Sequence, residues 1–161
     1  MLSNRDFSSL VDAGKYPEQV EVPLDEPFVN GNGRIQNLLL EKFTSAALIS
    51  SVAGALRANH FHKTDWHYSY VVDGEIWYYW RPVGASGRPS HARFRAGQMF
   101  FTPPLVEHAM FFPENSVFLT FARNVRDHEH HESDVVRVEL VRASRDQSGE
   151  RGWLIQVAGS P

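Results

Sequence analysis

From residue 34 onward, apolar and polar positions alternate in short runs rich in Val, Ile, Phe, Tyr and Trp, and each run stops at a turn signal. The breaks fall at Asn30-Gly31-Asn32-Gly33, Asp73-Gly74, residues 84–89, Ala96-Gly97 and residues 113–115. This is an all-β pattern. Its strongest local element is a predicted hairpin over residues 67–80, in which Asp73-Gly74 supplies a two-residue type I′ turn. That turn pairs Val72 with Glu75, Val71 with Ile76, Tyr70 with Trp77 and Ser69 with Tyr78. The period of two then sets His67, Ser69, Val71, Ile76, Tyr78 and Trp80 on one face.

The flanks read differently. A short helix is predicted over residues 6–12 with Asn4 near its cap, followed by a proline-bearing acidic arm over residues 16–28. Toward the other end, residues 133–142 alternate as one half-buried strand, residues 127–132 form a polar, solvated loop, and the tail after Ser144 is a loop and an edge strand. The expected layout is an arm over residues 1–33, a barrel over 34–142 and a C-terminal loop and edge strand over 143–161.

Composition narrows the chemistry. A chain of 161 residues suits one core burying roughly 70% of the unfolded surface. Sixteen Lys+Arg against nineteen Asp+Glu leave a net charge of −3, without the basic footprint of a nucleic-acid binder. There is no Cys, so thiolate metal sites, iron–sulfur clusters, disulfides and cysteine nucleophiles are excluded, and any metal must use N or O ligands. The longest weakly polar stretch, residues 45–56, is shorter than the about 20 apolar residues of a membrane span, and the N-terminus lacks the apolar block of a signal peptide. A cytoplasmic protein with no membrane or nucleic-acid partner is expected.

Eight histidines are present, and four stand out. In Asn59-His60-Phe61-His62-Lys63 a strand sends both imidazoles to one face, about 6.5 to 7 Å apart, within reach of one ion. His67 opens the predicted hairpin. His108 follows Pro103-Pro104, which favour a rigid turn.

The spacing Gly54, His60-Phe61-His62, His67, Gly74 resembles the first motif of the cupin superfamily, G-x5-H-x-H-x3–4-E-x6-G, with His67 in place of Glu. Gly97, Pro103, Leu105, His108 resembles the second, G-x5-P-x-G-x2-H-x3-N, with Leu105 replacing Gly and Phe112 replacing Asn. The resemblance implies a single-domain cupin β-barrel, a double-stranded β-helix or jelly roll. It also implies that His60, His62 and His108 are metal ligands and that His67 occupies the position of the family's carboxylate ligand. Cupins with His at that position occur. Neutral imidazoles leave the full charge on one divalent transition metal, favouring zinc, nickel, copper or iron(II) over magnesium or calcium.

Around this centre, Tyr78 is a candidate proton donor whose pKa a cation would lower, and Glu107 is a candidate base, although alternation turns it away from His108. Trp66, Ser69, Trp80, Phe100, Met110, Phe112 and Phe118 are candidate pocket residues, with core packing as the competing role for the aromatic ones. Lys63 and Asp65 are further candidate substrate contacts, and His128, His130 and His131 with Glu129 and Glu132 read as a solvated cluster able to take metal adventitiously. The expected activity is Lewis-acid isomerisation, epimerisation or cyclisation of a small enolisable carbonyl or hydroxy-carbonyl substrate. Its rivals are an iron or copper dioxygenase and a non-catalytic sugar-binding or small-molecule-binding cupin. Cupins frequently dimerise, which makes the arm a candidate homodimer contact.

Overall fold

The computed structural model describes residues 11–146 and 152–159. In chain order the strands are β1 (Glu21–Val22), β2 (Phe28–Asn30), β3 (Gly33–Ile35), β4 (Ser45–Ser51), β5 (Leu56–His62), β6 (His67–Asp73), β7 (Glu75–Pro82) and β8 (Ser90–Arg95). Then follow β9 (Met99–Thr102), β10 (Val106–Phe111), β11 (Ser116–Ala122), helix α1 (His128–Asp134), β12 (Val135–Arg137), β13 (Val141–Arg145) and β14 (Trp153–Val157). Two antiparallel five-stranded sheets, ordered β1-β9-β6-β11-β4 and β12-β5-β10-β7-β8, face one another as a jelly roll. The all-β expectation holds.

The predicted hairpin does not form. β6 pairs with β9 and β11, whereas β7 pairs with β10 and β8, so Asp73-Gly74 is a corner between the two sheets. Gly74 takes φ 83° with Ser116 packed against it, but Asp73 stays outside the left-handed region that a type I′ turn needs at both positions. Long-range partners bury both strands, which a two-stranded ribbon cannot do. The inner face is nevertheless the one alternation predicts: Val71, Ile76 and Tyr78 lie in the central core with Phe94, Phe100, Met110, Phe112 and Phe118, and Trp80 packs against it.

Two further expectations change. Residues 127–132 are not a loop, because Asp127 caps α1 by accepting from the His130 N–H at 2.9 Å. Residues 133–142 split between the end of α1, β12 and β13 instead of forming one strand. In the C-terminal segment the edge strand is β14, which pairs with β13, and this hairpin covers the outer face of β10 and β7 through Trp153, Ile155 and Phe111. From the arm, Val11, Val22 and Leu24 cover the outer face of the other sheet at Tyr68, Met99 and Phe101. Of the predicted helix over 6–12, residues 6–10 lie outside the described residues, and 11–14 form a turn closed by Gly14 N–H donating to Val11 O. No helix among the described residues is long and apolar enough to cross a membrane.

Candidate active site

β5 brings two of the histidines inward only because it is bulged. Ala58 and Asn59 take φ 66° and 53°, and the β5–β10 register slips there, pairing His108 with His60 but Ala109 with Ala58. Leu56 therefore packs outside while Ala58 packs inside. The Asn59 amide holds the bulge by donating to Val141 O at 2.8 Å and accepting from Val141 N–H at 3.0 Å. Beyond it, the His60 and His62 ring centroids lie 4.8 Å apart, and His108 lies 4.8 Å from His60 and 5.5 Å from His62.

The chain sets the tautomers of two of these rings. His62 Nδ1 lies 3.1 Å from Asp134 Oδ2, and His108 Nδ1 lies 3.0 Å from Val106 O. An oxygen acceptor on Nδ1 places the ring proton there and leaves a lone pair on Nε2. Both Nε2 atoms are buried and meet no hydrogen-bond partner among the described residues. One nitrogen each from His60, His62 and His108 falls within 4.8 Å of the others. Burial pushes His60, His62 and His108 down to about 3, with neighbouring imidazoles and Arg126 adding to the effect, so all three are neutral near pH 7. Three neutral, convergent donors, two of them fully buried and unpartnered, fit a first-row divalent cation.

His67 completes the inner ring, with its centroid 5.4 Å from both His62 and His108, but its surroundings differ. Arg126 Nη2 sits 2.9 Å from His67 Nδ1. His67 is absent from the group of nitrogens that approach within 4.8 Å.

Two residues enter from α1, one of which, Asp134, sequence reasoning left aside. Asp134 satisfies His62, the Thr64 N–H and hydroxyl, and the Asp65 N–H. Burial alone would raise its carboxyl; these hydrogen bonds outweigh burial and hold it below the usual range. Three residues earlier on the same helix face, the His131 ring stands 5.8 Å from His60 and 5.7 Å from His62. The cluster read as solvated thus divides: His131 caps the histidine ring, while His130 pairs with exposed Asp127. Arg126 and Asp134 had no local sequence signal, because both reach the site by long-range packing.

Strand register grades the interior. The histidine end carries Trp80 opposite His108 and Thr102 opposite His67; the far end holds Phe112, Phe118, Val71 and Ile76. Between them lie Tyr78, whose hydroxyl meets Thr102 Oγ1 at 2.8 Å, and Ser69, whose buried hydroxyl has no partner among the described residues. Burial pushes the Tyr78 phenol up, so with no cation beside it the hydroxyl stays protonated. Phe100, Met110, Phe112 and Phe118 pack with one another as core, and Trp80 stacks on Tyr78 at 5.4 Å.

Two candidates lie elsewhere. Glu107 shares the outer face of β10 and receives both Nε and Nη2 of Arg81, at 2.9 and 2.6 Å, so the sheet separates it from the histidines. Trp66 is 1% exposed under the arm, against Val11, Tyr68 and Phe101, and donates toward Asp12; it lines no mouth, because it packs on the outer face of β6. Asp65 is buried in an ion pair with Arg126, and Lys63 donates to Ser133 O.

No protein-family profile matches the chain, and no curated protein matches it in sequence. Solved structures do. The sugar 3,4-ketoisomerase QdtA from Thermoanaerobacterium thermosaccharolyticum, in complex with TDP, is 18% identical, with 70% of this chain and 82% of that chain covered at a TM-score of 0.57. A 3,4-ketoisomerase from Helicobacter canadensis is 13% identical, with coverages of 70% and 85% and a TM-score of 0.58. The dTDP-6-deoxy-D-glucose-3,5-epimerase RmlC from Legionella pneumophila is 14% identical, with coverages of 65% and 66% and a TM-score of 0.53. At such identities the likeness is one of fold: the chain has the jelly-roll barrel of these sugar ketoisomerases and epimerases.

Proposed function

We propose that the protein is a metal-dependent isomerase or epimerase that moves a proton beside the carbonyl of a small oxygenated substrate such as a keto-sugar. The observation that carries this reading is the convergence of His60, His62 and His108, with the Nε2 atoms of His62 and His108 buried and unpartnered. A divalent cation held by these three would supply Lewis-acid polarisation of a carbonyl oxygen. The chain's own residues prepare the rest. Asp134 and Val106 O fix the orientation of two ligands, which keeps the donor set rigid. Tyr78, kept protonated by burial, is a proton or hydrogen-bond donor beside Thr102, and the Ser69 hydroxyl offers a second polar contact. The apolar floor of Phe100, Met110, Phe112 and Phe118 excludes water beneath them. Fold likeness to sugar ketoisomerases and epimerases favours isomerisation over cyclisation, as analogy only.

A second reading rests on the His62–Asp134 pair: an imidazole oriented by a carboxylate is a general base in its own right, and a metal-free epimerase would use it so. Elemental analysis of untagged protein, with His60→Ala and His108→Ala variants, separates the two. About one equivalent of metal lost in both variants is expected. TDP-4-keto-6-deoxyglucose, the ligand of one ketoisomerase crystal structure, is a suitable first substrate for solvent deuterium incorporation. Exchange that requires metal and consumes no oxygen supports the proposal. Exchange in fully metal-free protein selects the His62 base, and oxygen uptake with iron present would instead make the protein a dioxygenase.

A further inference from the structure

We propose that His67 is not a fourth ligand but the hydrogen-bond donor of the site, held in that role by Arg126, and that the substrate presents it with a second oxygen. The matching chemical class is a hydroxy-ketone or its enediolate. The inference builds on the metal reading above but is tested apart from it.

A guanidinium has five N–H donors and no acceptor. With Arg126 Nη2 2.9 Å from His67 Nδ1, that ring nitrogen must offer its lone pair, and the single proton of the neutral ring sits on Nε2. His62 and His108 are opposite in kind, since their Nδ1 atoms face oxygen acceptors. One interior thus holds two Nε2 lone pairs and one Nε2–H, all on rings 5.4 to 5.5 Å apart. For His67 to ligate through Nε2, its proton would have to move to Nδ1, directly against the Arg126 N–H.

Arg126 is well anchored. Its Nε donates to Asp65 Oδ2 at 2.9 Å, its backbone N–H donates to Ser45 Oγ at 3.1 Å, and Asp65 Oδ1 accepts from Asn124 N–H at 2.9 Å. Asp65 neutralises the guanidinium, so Arg126 acts through His67 as a positioning residue. Beside a centre that takes one substrate oxygen, an adjacent N–H recognises the neighbouring oxygen, and its hydrogen bond strengthens as that oxygen gains charge.

The test is the histidine tautomer in the metal-free, full-length protein, read from two-bond proton–nitrogen correlation spectra of 15N-histidine-labelled material. His67 is expected to be protonated on Nε2, and His62 and His108 on Nδ1; a His67 proton on Nδ1 overturns the proposal. Added zinc should shift the His62 and His108 Nε2 resonances and leave His67 without a ligand-type shift, and the reverse for His67 is equally fatal. In Arg126→Met the His67 tautomer should relax toward Nδ1–H, whereas a merely structural arginine would leave it unmoved. Oxalate, as a two-oxygen probe of the zinc-loaded protein, should bind roughly tenfold more weakly to His67→Ala. His67→Gln, which retains an N–H, should recover part of that loss, and equal affinity in all three proteins refutes the donor role. Should His67→Ala fail to fold, the wild-type spectra still decide. Failure of zinc to bind anywhere sinks the metal centre, while the tautomers in the same sample decide the role of His67.

Discussion

Asp134 Oδ2 accepts a hydrogen bond from His62 Nδ1 at 3.1 Å, tying the end of α1 to the inner face of β5. With His62 pushed down to about 3 and Asp134 held below the ordinary carboxylate range, the pair is a neutral imidazole donating to a carboxylate, not an ion pair.

Removing that carboxylate strands four donors at once: His62 Nδ1, the Thr64 N–H and hydroxyl, and the Asp65 N–H. Asp134→Ala should therefore cost about 3 kcal/mol or more of stability, measured by urea unfolding. Zinc affinity, followed by competition with a chromogenic chelator, should fall about 10- to 100-fold. Unchanged zinc affinity would show that Asp134 does not orient a ligand.

Acid should unfold the metal-free protein early. Burial holds His60, His62 and His108 near 3 in the folded state, whereas the unfolded chain binds their protons near the ordinary value of 6.5. Stability is thus full above about 6.5 and declines as pH falls toward 3, by up to about 1.4 kcal/mol per pH unit for each histidine. Urea midpoints at pH 7, 6 and 5 should fall in that order, and a flat profile would mean that these rings are solvated.

Two positions of the cupin-like motifs carry opposite strain. Gly54 takes φ 85° with the Trp153 ring against it, where an added Cβ would clash with Trp153 Cη2. Leu105 takes φ 57° at the position where the second motif has Gly. Gly54→Ala should destabilise by about 2 kcal/mol or more, through steric and backbone strain together. Leu105→Gly should be neutral or stabilising by up to about 1 kcal/mol, since relief of left-handed strain offsets the added freedom of the unfolded chain. Thermal unfolding of both variants checks the pair, and a stable Gly54→Ala would disprove the close approach.

Glu107 and Tyr78 should separate cleanly. Glu107→Ala breaks the outer Arg81 pair and should cost about 1 kcal/mol of stability, with metal content and deuterium exchange unchanged. Tyr78→Phe loses the Thr102 hydrogen bond, a similar cost in stability, but should slow exchange roughly 10²-fold. Equal exchange in wild type and Tyr78→Phe would return Tyr78 to a packing role.

Local chemistry alone determined much of this protein. Alternating β-branched and aromatic runs cut by Gly, Pro and Asn turns dictate strands and their buried faces, since side-chain direction in a strand depends only on the period of two. Hence the inward set of Val71, Ile76 and Tyr78 was legible even though the predicted β6–β7 hairpin does not form. That His60 and His62 share a face was legible for the same reason, whereas the bulge that turns them inward was not, and His108 was legible through the motif resemblance that includes Gly97 and Pro103. Only the tertiary structure decided strand pairing, because partners such as β6 and β11 are far apart in sequence and meet through sheet closure. It also decided the protons of the site: Asp134, Val106 O and Arg126 lie outside the motif spacings, and the atom each presents to a ring determines whether that ring offers a lone pair or an N–H.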